Sequence, residues 1–163
     1  MLDIVHFALF HYDASAVAWA NRSWYSDPSG HIVIRHVGAG CLMNFWSRIT
    51  PAVSRDYDYI WLLDGDMDLS YFSWPIYRSV LLQLDPLISQ PAVLPRIPGG
   101  RSTDIPVLRM RTPSADGDFH VAFSSPRSEV MTPVISQKLW PVIHERLLGN
   151  DLTSTWLLDC EQP

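Results

Sequence analysis

Apolar positions arrive in short clusters divided by polar or proline-bearing steps, and the spacing inside each cluster predicts an element. Residues 2 to 10, LDIVHFALF, and 31 to 37, HIVIRHV, are rich in branched and aromatic side chains and read as strands. Between them, Asp13 ahead of Ala14 to Ala20 reads as a short capped helix. From Gly40, the spacing Leu42, Phe45, Trp46, Ile49 predicts a helical stripe that the Thr50-Pro51 step ends. The run YDYIWLL, residues 57 to 63, is a third strand, too apolar on both faces for an exposed edge. Trp74-Pro75-Ile76 opens a helix with Pro75 in its first turn and Ile76, Val80 and Leu84 on one side. A short strand follows in LISQPAVLP, residues 87 to 95. Beyond Glu129, EVMTPVIS leads into a helix capped by Ser136, with Pro141 in its first turns and Leu139, Val142, Ile143 and Leu147 along one side.

Strands alternating with helical stripes predict an α/β layer fold, a mostly parallel sheet flanked by helices; an irregular mixed domain is the rival. A chain of 163 residues, 47% of them hydrophobic, fits one domain over residues 1–163. Its one change of texture is a Pro-, Gly-, Arg- and Ser-rich stretch at about 95–128, which reads as a lid, a binding loop or disorder.

Composition narrows the partners. Seventeen acidic residues against 12 basic ones give a net charge of -5, and Lys138 is the sole lysine beside the arginines. That balance offers no general attraction to nucleic acid or to an anionic membrane. Cys41 and Cys160 fit neither a metal-site spacing nor a disulfide-dense scaffold. The first residues lack the basic start and unbroken apolar run of a signal peptide, and no segment reaches the roughly 18 to 20 apolar residues that span a bilayer. The expectation is a soluble chain with no transmembrane segment, its compartment left open by the composition.

The candidate chemistry lies in YDYIWLLDGDMDL, where a strand runs into Asp64, Asp66 and Asp68. Crowded carboxylates need a proton, a cation or hydrogen bonds to offset their repulsion. In a parallel sheet, ligands bind beyond the carboxyl ends of strands, so the aspartates sit where chemistry is expected. The plainest reading is a solvated turn that caps the next helix. A calcium loop fails, because its sixth position, Gly, is Leu69 here and its twelfth, Glu, is Pro75. A phosphohydrolase with Asp64 as nucleophile and Asp66 as acid-base partner resembles the haloacid dehalogenase-like pattern, but it needs cationic help for the developing charge. The remaining reading is Mg²⁺ or Mn²⁺ held by Asp64 and Asp66, with Asp68 a further candidate oxygen ligand, bridging the diphosphate of a nucleotide-sugar donor. Gly65 would let both carboxylates turn onto one ion.

FHYD at Phe10 to Asp13, YDYI at Tyr57 to Ile60, Asp64-x-Asp66, ISQP at Ile88 to Pro91, EVMTPVIS at Glu129 to Ser136, then Trp140, Asn150-Asp151 and WLLD at Trp156 to Asp159 form an ordered set. In that order they resemble an uncharacterised, plant-abundant family, domain of unknown function number seven hundred and seven, over nearly the whole chain. That family is itself similar to GT-A (Rossmann-like) nucleotide-diphospho-sugar transferases. The resemblance implies a glycosyltransferase with Asp64 and Asp66 as metal and diphosphate ligands, Glu129 facing an acceptor of unknown kind, and Asp159 as an acid near the end of the catalytic core.

The chain also departs from the family pattern. Members usually read Asp-Glu-Asp-Leu where this chain has Asp64-Gly65-Asp66-Met67, and Trp-Gly-Leu-Asp where it has Trp156 to Asp159. They usually carry a further strand before FHYD and residues after the last motif, which implies truncation at both ends and makes a non-catalytic transferase-like domain the competing class. Arg35 and His36, at the end of the second strand, are candidates to contact nucleotide or phosphate, with surface or capping roles as the alternative. Arg96, Arg101, Arg109 and Arg111 are candidates for a cationic lid over a diphosphate, with ordinary unpaired loop arginines as the alternative. Glu129 would be the general base of an inverting reaction, against an ordinary role at a strand start.

Overall fold

The computed structural model describes residues 5–12, 16–26, 30–40, 42–65, 67–70, 72–93 and 131–149. The chain divides into two units, Met1–Ser54 with Pro141–Pro163, and Arg55–Trp140.

In the first unit, β1 (Phe7–His11) pairs in parallel with β2 (Ile32–Val37), placing Phe10 opposite His36 and His11 opposite Val37. Parallel neighbours need a crossover, and here it contains α1 (Ala16–Ala20) and a 3₁₀ turn, Ser23–Ser26. Along β2 the alternation expected of a half-covered strand is met: Ile32, Ile34 and His36 are half-buried, while Val33, Arg35 and Val37 are exposed. The predicted helical stripe after Gly40 is shorter than its spacing implied. α2 (Leu42–Trp46) buries Met43 and Phe45, then tightens through Arg48 N–H to Phe45 O and Ile49 N–H to Trp46 O. Thr50-Pro51 also begins an element. Thr50 Oγ1 accepts from Val53 N–H at 3.3 Å, and Pro51 opens α3 (Pro51–Ser54), where its missing N–H costs nothing.

In the second unit the sheet order is β3 (Tyr59–Trp61), β5 (Val134–Ser136), β4 (Ile88–Ser89). β5 is antiparallel to both neighbours, so β3 and β4 run in the same direction, joined through α4 (Trp74–Leu84), with β5 between them. Every residue of β5 is buried, as a central strand requires. The described strands therefore form a mixed α/β structure, parallel in one sheet and antiparallel in the other. The mostly parallel expectation missed this because alternation and apolar runs carry no information about strand direction.

α4 starts as its sequence predicts, with Pro75 in the first turn, but buries a different side. Leu81 is 2% exposed and Tyr77 is half-buried, whereas Ile76 and Leu84 are 62% and 61% exposed. The aromatic Tyr77, one turn before Leu81, claims the sheet: its hydroxyl meets Ser89 Oγ at 2.8 Å on β4. The helix ends at Asp85, in the left-handed conformation (φ 41°, ψ 51°), whose N–H returns to Leu81 O. α5 (Trp140–Gly149) has Pro141 in its first turn; of the predicted stripe Leu147 is buried, Leu139 and Ile143 are half-buried and Val142 is half exposed, while Trp140 and His144 are the other buried positions. His144 takes its place on the buried side by donating Nε2–H to Ser47 O at 2.8 Å. Among the described residues no helix is long and apolar enough to cross a membrane.

Candidate functional site

Asp64 stands three residues past β3, and its backbone is still held by the sheet. The β3–β5 register pairs Tyr59 with Ser136, Ile60 with Ile135 and Trp61 with Val134. Two further bonds continue it, from Leu62 N–H to Pro133 O at 2.9 Å and from Asp64 N–H to Met131 O at 3.0 Å. The strands cease to be regular at Pro133 because proline has no N–H to return, although its carbonyl still accepts. The start of β5 is thus laid along the carboxyl end of β3, and Met131 lies two positions after Glu129. Glu129 itself, Asp66 and Asp159 lie outside the described residues, as do Arg96, Arg101, Arg109 and Arg111.

The side chains around Trp61 are interlocked. Trp61 donates its indole N–H to the buried Thr132 Oγ1 at 2.8 Å, and its ring meets Phe72 at 4.9 Å, Trp74 at 6.5 Å with planes 15° apart, and Tyr77 at 6.4 Å. These rings form an aromatic cluster spanning β3 and the start of α4. Sequence reasoning placed Trp61 in an apolar strand and Thr132 inside the EVMTPVIS motif, but gave Thr132 no role, because that role comes from a register that only folding establishes.

The loop's own chemistry is now specific. Asp64 is half-buried, and its carbonyl accepts from Met67 N–H at 3.2 Å. Asp68 is exposed, and its Oδ1 takes both Ser70 N–H at 2.9 Å and Ser70 Oγ–H at 2.6 Å, the geometry of a side chain that shapes a turn. Gly65 departs from expectation. Its φ is outside the left-handed range and an added Cβ would meet nothing within 4 Å, so glycine is not required by the backbone here. Among the described residues no three His, Cys, Asp or Glu side chains stand together as a metal site.

At the opposite end of β5, Lys138 is committed elsewhere. Its ammonium pairs with Asp85 Oδ2 at 2.5 Å, beside the Tyr59 hydroxyl. The hydrogen bond and charge of Lys138 lower the Asp85 pKa, Asp85 raises that of Lys138 in turn, and burial with the Asp85 charge raises that of Tyr59. Because β5 is antiparallel to β3, the sole lysine sits at the amino end of β3 while Asp64 leaves its carboxyl end. A phosphoryl-transfer reading centred on Asp64 loses the only lysine it had.

In the first unit, Arg35 and His36 separate although they are adjacent in sequence. Arg35 donates through Nη2 to Tyr25 O at 2.6 Å and stacks its guanidinium 5.3 Å from the Tyr25 ring centre. Tyr25 in turn shares a 3.2 Å hydrogen bond between its hydroxyl and His11 Nε2, both side chains being buried. His36, on the other face of β2, lies against Phe10 and Phe45.

The chain belongs to the family described as Protein of unknown function (DUF707), whose model matches residues 3–162. No curated protein and no solved structure matches the chain.

Proposed function

Starting from membership of this family, we propose that the loop from Asp64 to Asp68 is the donor site of a GT-A-like, metal-dependent glycosyltransferase that takes a nucleotide sugar. The observation that carries this reading is the bond from Asp64 N–H to Met131 O. It keeps a half-buried carboxylate at the carboxyl end of β3 and runs the segment following Glu129 alongside it.

The donor set suits a hard divalent cation, because Asp64 and Asp66 offer carboxylate oxygens at alternate positions and leave coordination places for phosphate. When bound, Mg²⁺ or Mn²⁺ would neutralise the negative charge that grows on the departing diphosphate. Asp68 plays a different part, since its Oδ1, held by Ser70, sets the shape of the loop behind the two ligands. The Trp61–Thr132 hydrogen bond ties the end of β3 to the start of β5. Glu129 would take the proton from an acceptor hydroxyl as its oxygen attacks the anomeric carbon and the bond to diphosphate breaks. Asp159 would be an acid near the end of the catalytic core.

Calorimetric titration of Mn²⁺, with and without a panel of nucleoside diphosphates, tests this on the natural chain and on the Asp64→Ala/Asp66→Ala double variant. Metal-dependent nucleotide binding that vanishes in the double variant is the expected result. A folded chain that binds neither metal nor nucleotide would overturn the reading and leave a non-catalytic domain.

A further inference from the structure

The first unit carries a cavity that the aspartate chemistry does not use. It encloses about 400 Å³ and is lined by His36, Ala39, Asn44, Phe45, Ser47 and Arg48. It opens past the carboxyl end of β2, between that strand and α2, on the His36 side and away from Arg35. Small-molecule sites commonly occupy about 300 to 1,000 Å³ but are mostly apolar. This one presents largely polar groups, with an arginine and a histidine and no acidic side chain among its lining residues.

The wall is built, with Ser47 fixed in it and the side chains of Asn44 and Arg48 left to act. Phe45 is buried and stacked on Phe10 with ring centres 5.5 Å apart, which fixes the floor. Gly40 passes so close that an added Cβ would lie 2.9 Å from the Phe45 ring, so the β2–α2 loop is pressed onto that floor. At Gly38, φ is 155° and an added Cβ would come 3.4 Å from His36 Nε2, so the absence of a side chain keeps the edge of the imidazole open. Ser47 is pinned through its carbonyl by His144 and through its hydroxyl to Asn44 O. The Asn44 amide and the exposed Arg48 guanidinium have no side-chain partner among the described residues.

We propose that this cavity binds the phosphate group of a small organic phosphate, Arg48 pairing with the anion while His36 and Asn44 hydrogen-bond its remaining oxygens. A guanidinium matches phosphate oxygens two at a time, and the polar lining with a fixed aromatic floor suits a multi-oxygen anion attached to a compact organic body. The proposal concerns the first unit alone and stands whether or not the aspartate loop binds metal.

The test is nuclear magnetic resonance titration of the full chain with inorganic pyrophosphate and, separately, with a nucleoside diphosphate in metal-free buffer, following the His36 ring. A saturable shift at His36 is expected, weakened at least about tenfold by Arg48→Gln, as losing a charge-assisted pair requires. Arg22→Gln, an exposed change in the same unit, should leave it unaltered. Pyrophosphate alone binding supports a site for the anion, and tighter nucleotide binding supports one for the organic body as well. No saturable shift, an unchanged affinity in Arg48→Gln, or equal weakening by Arg22→Gln would overturn the proposal. Loss of Mn²⁺ binding at Asp64 would leave this result untouched, so the two readings fail separately.

Discussion

The backbone N–H of Asp64 donates to the carbonyl of Met131 at 3.0 Å, in continuation of the β3–β5 register. This bond joins the strand that delivers the aspartates to the one that follows the long Pro- and Arg-rich stretch. A carboxylate beyond a strand end would otherwise sit on a free loop. Here it is anchored to the most buried strand of its unit, whose three residues are all inaccessible.

The Trp61–Thr132 contact beneath that anchor makes a first prediction. Thr132→Val keeps the shape but leaves the indole N–H without its acceptor at 2.8 Å. Losing that acceptor should lower stability by about 1 to 3 kcal/mol, read as a shift in urea midpoint at unchanged slope. Thr132→Ser should restore most of it.

Two glycines should respond in opposite ways. At Gly65 the space is open and φ is ordinary, so Gly65→Ala should be neutral or stabilise by up to about 1 kcal/mol by restricting the unfolded chain. At Gly40 the new methyl would meet the Phe45 ring at 2.9 Å, and that ring is buried and stacked on Phe10. Gly40→Ala should therefore cost about 1 to 3 kcal/mol. Thermal melts of the two variants side by side check both signs.

Alkaline stability should follow Tyr77. Burial pushes its phenol from 10.0 up to about 12, with the Ser89 hydrogen bond acting the other way. The folded chain then holds this proton more tightly than the unfolded chain does. Its stabilising contribution is complete below pH 10 and is lost as the pH rises through about 12. Tyr77→Phe should start less stable at neutral pH, having lost the Ser89 partner, yet fall less steeply over that alkaline window. Urea midpoints measured across the window give the comparison.

Arg35 is tied to the Tyr25 carbonyl and lies over its ring, an arrangement that needs a planar cation. Arg35→Lys should lose about 1 to 2 kcal/mol despite keeping the charge, nearly as much as Arg35→Gln. If lysine restores full stability in chemical denaturation, the planar stack contributes nothing.

The local elements and the position of the aspartates were legible in the order of amino acids alone. Branched and aromatic runs give strands at Phe7–His11, Ile32–Val37 and Tyr59–Trp61, and Pro75 starts a helix, because these preferences act within a few residues. The placement of Asp64 beyond the end of a buried strand was legible too, since an apolar run that stops at charges reads the same in any fold. What surrounds these elements came from long-range packing. The order β3, β5, β4 and the antiparallel run of β5 arise from backbone pairing between distant segments, which a hydrophobic pattern does not encode. The same packing chose Tyr77 and Leu81 over Ile76 and Leu84 as the buried side of α4, and it gave Arg35 and His36 separate surroundings on the two faces of one strand. Spacing offers candidate faces, and only the neighbours that arrive in three dimensions choose between them.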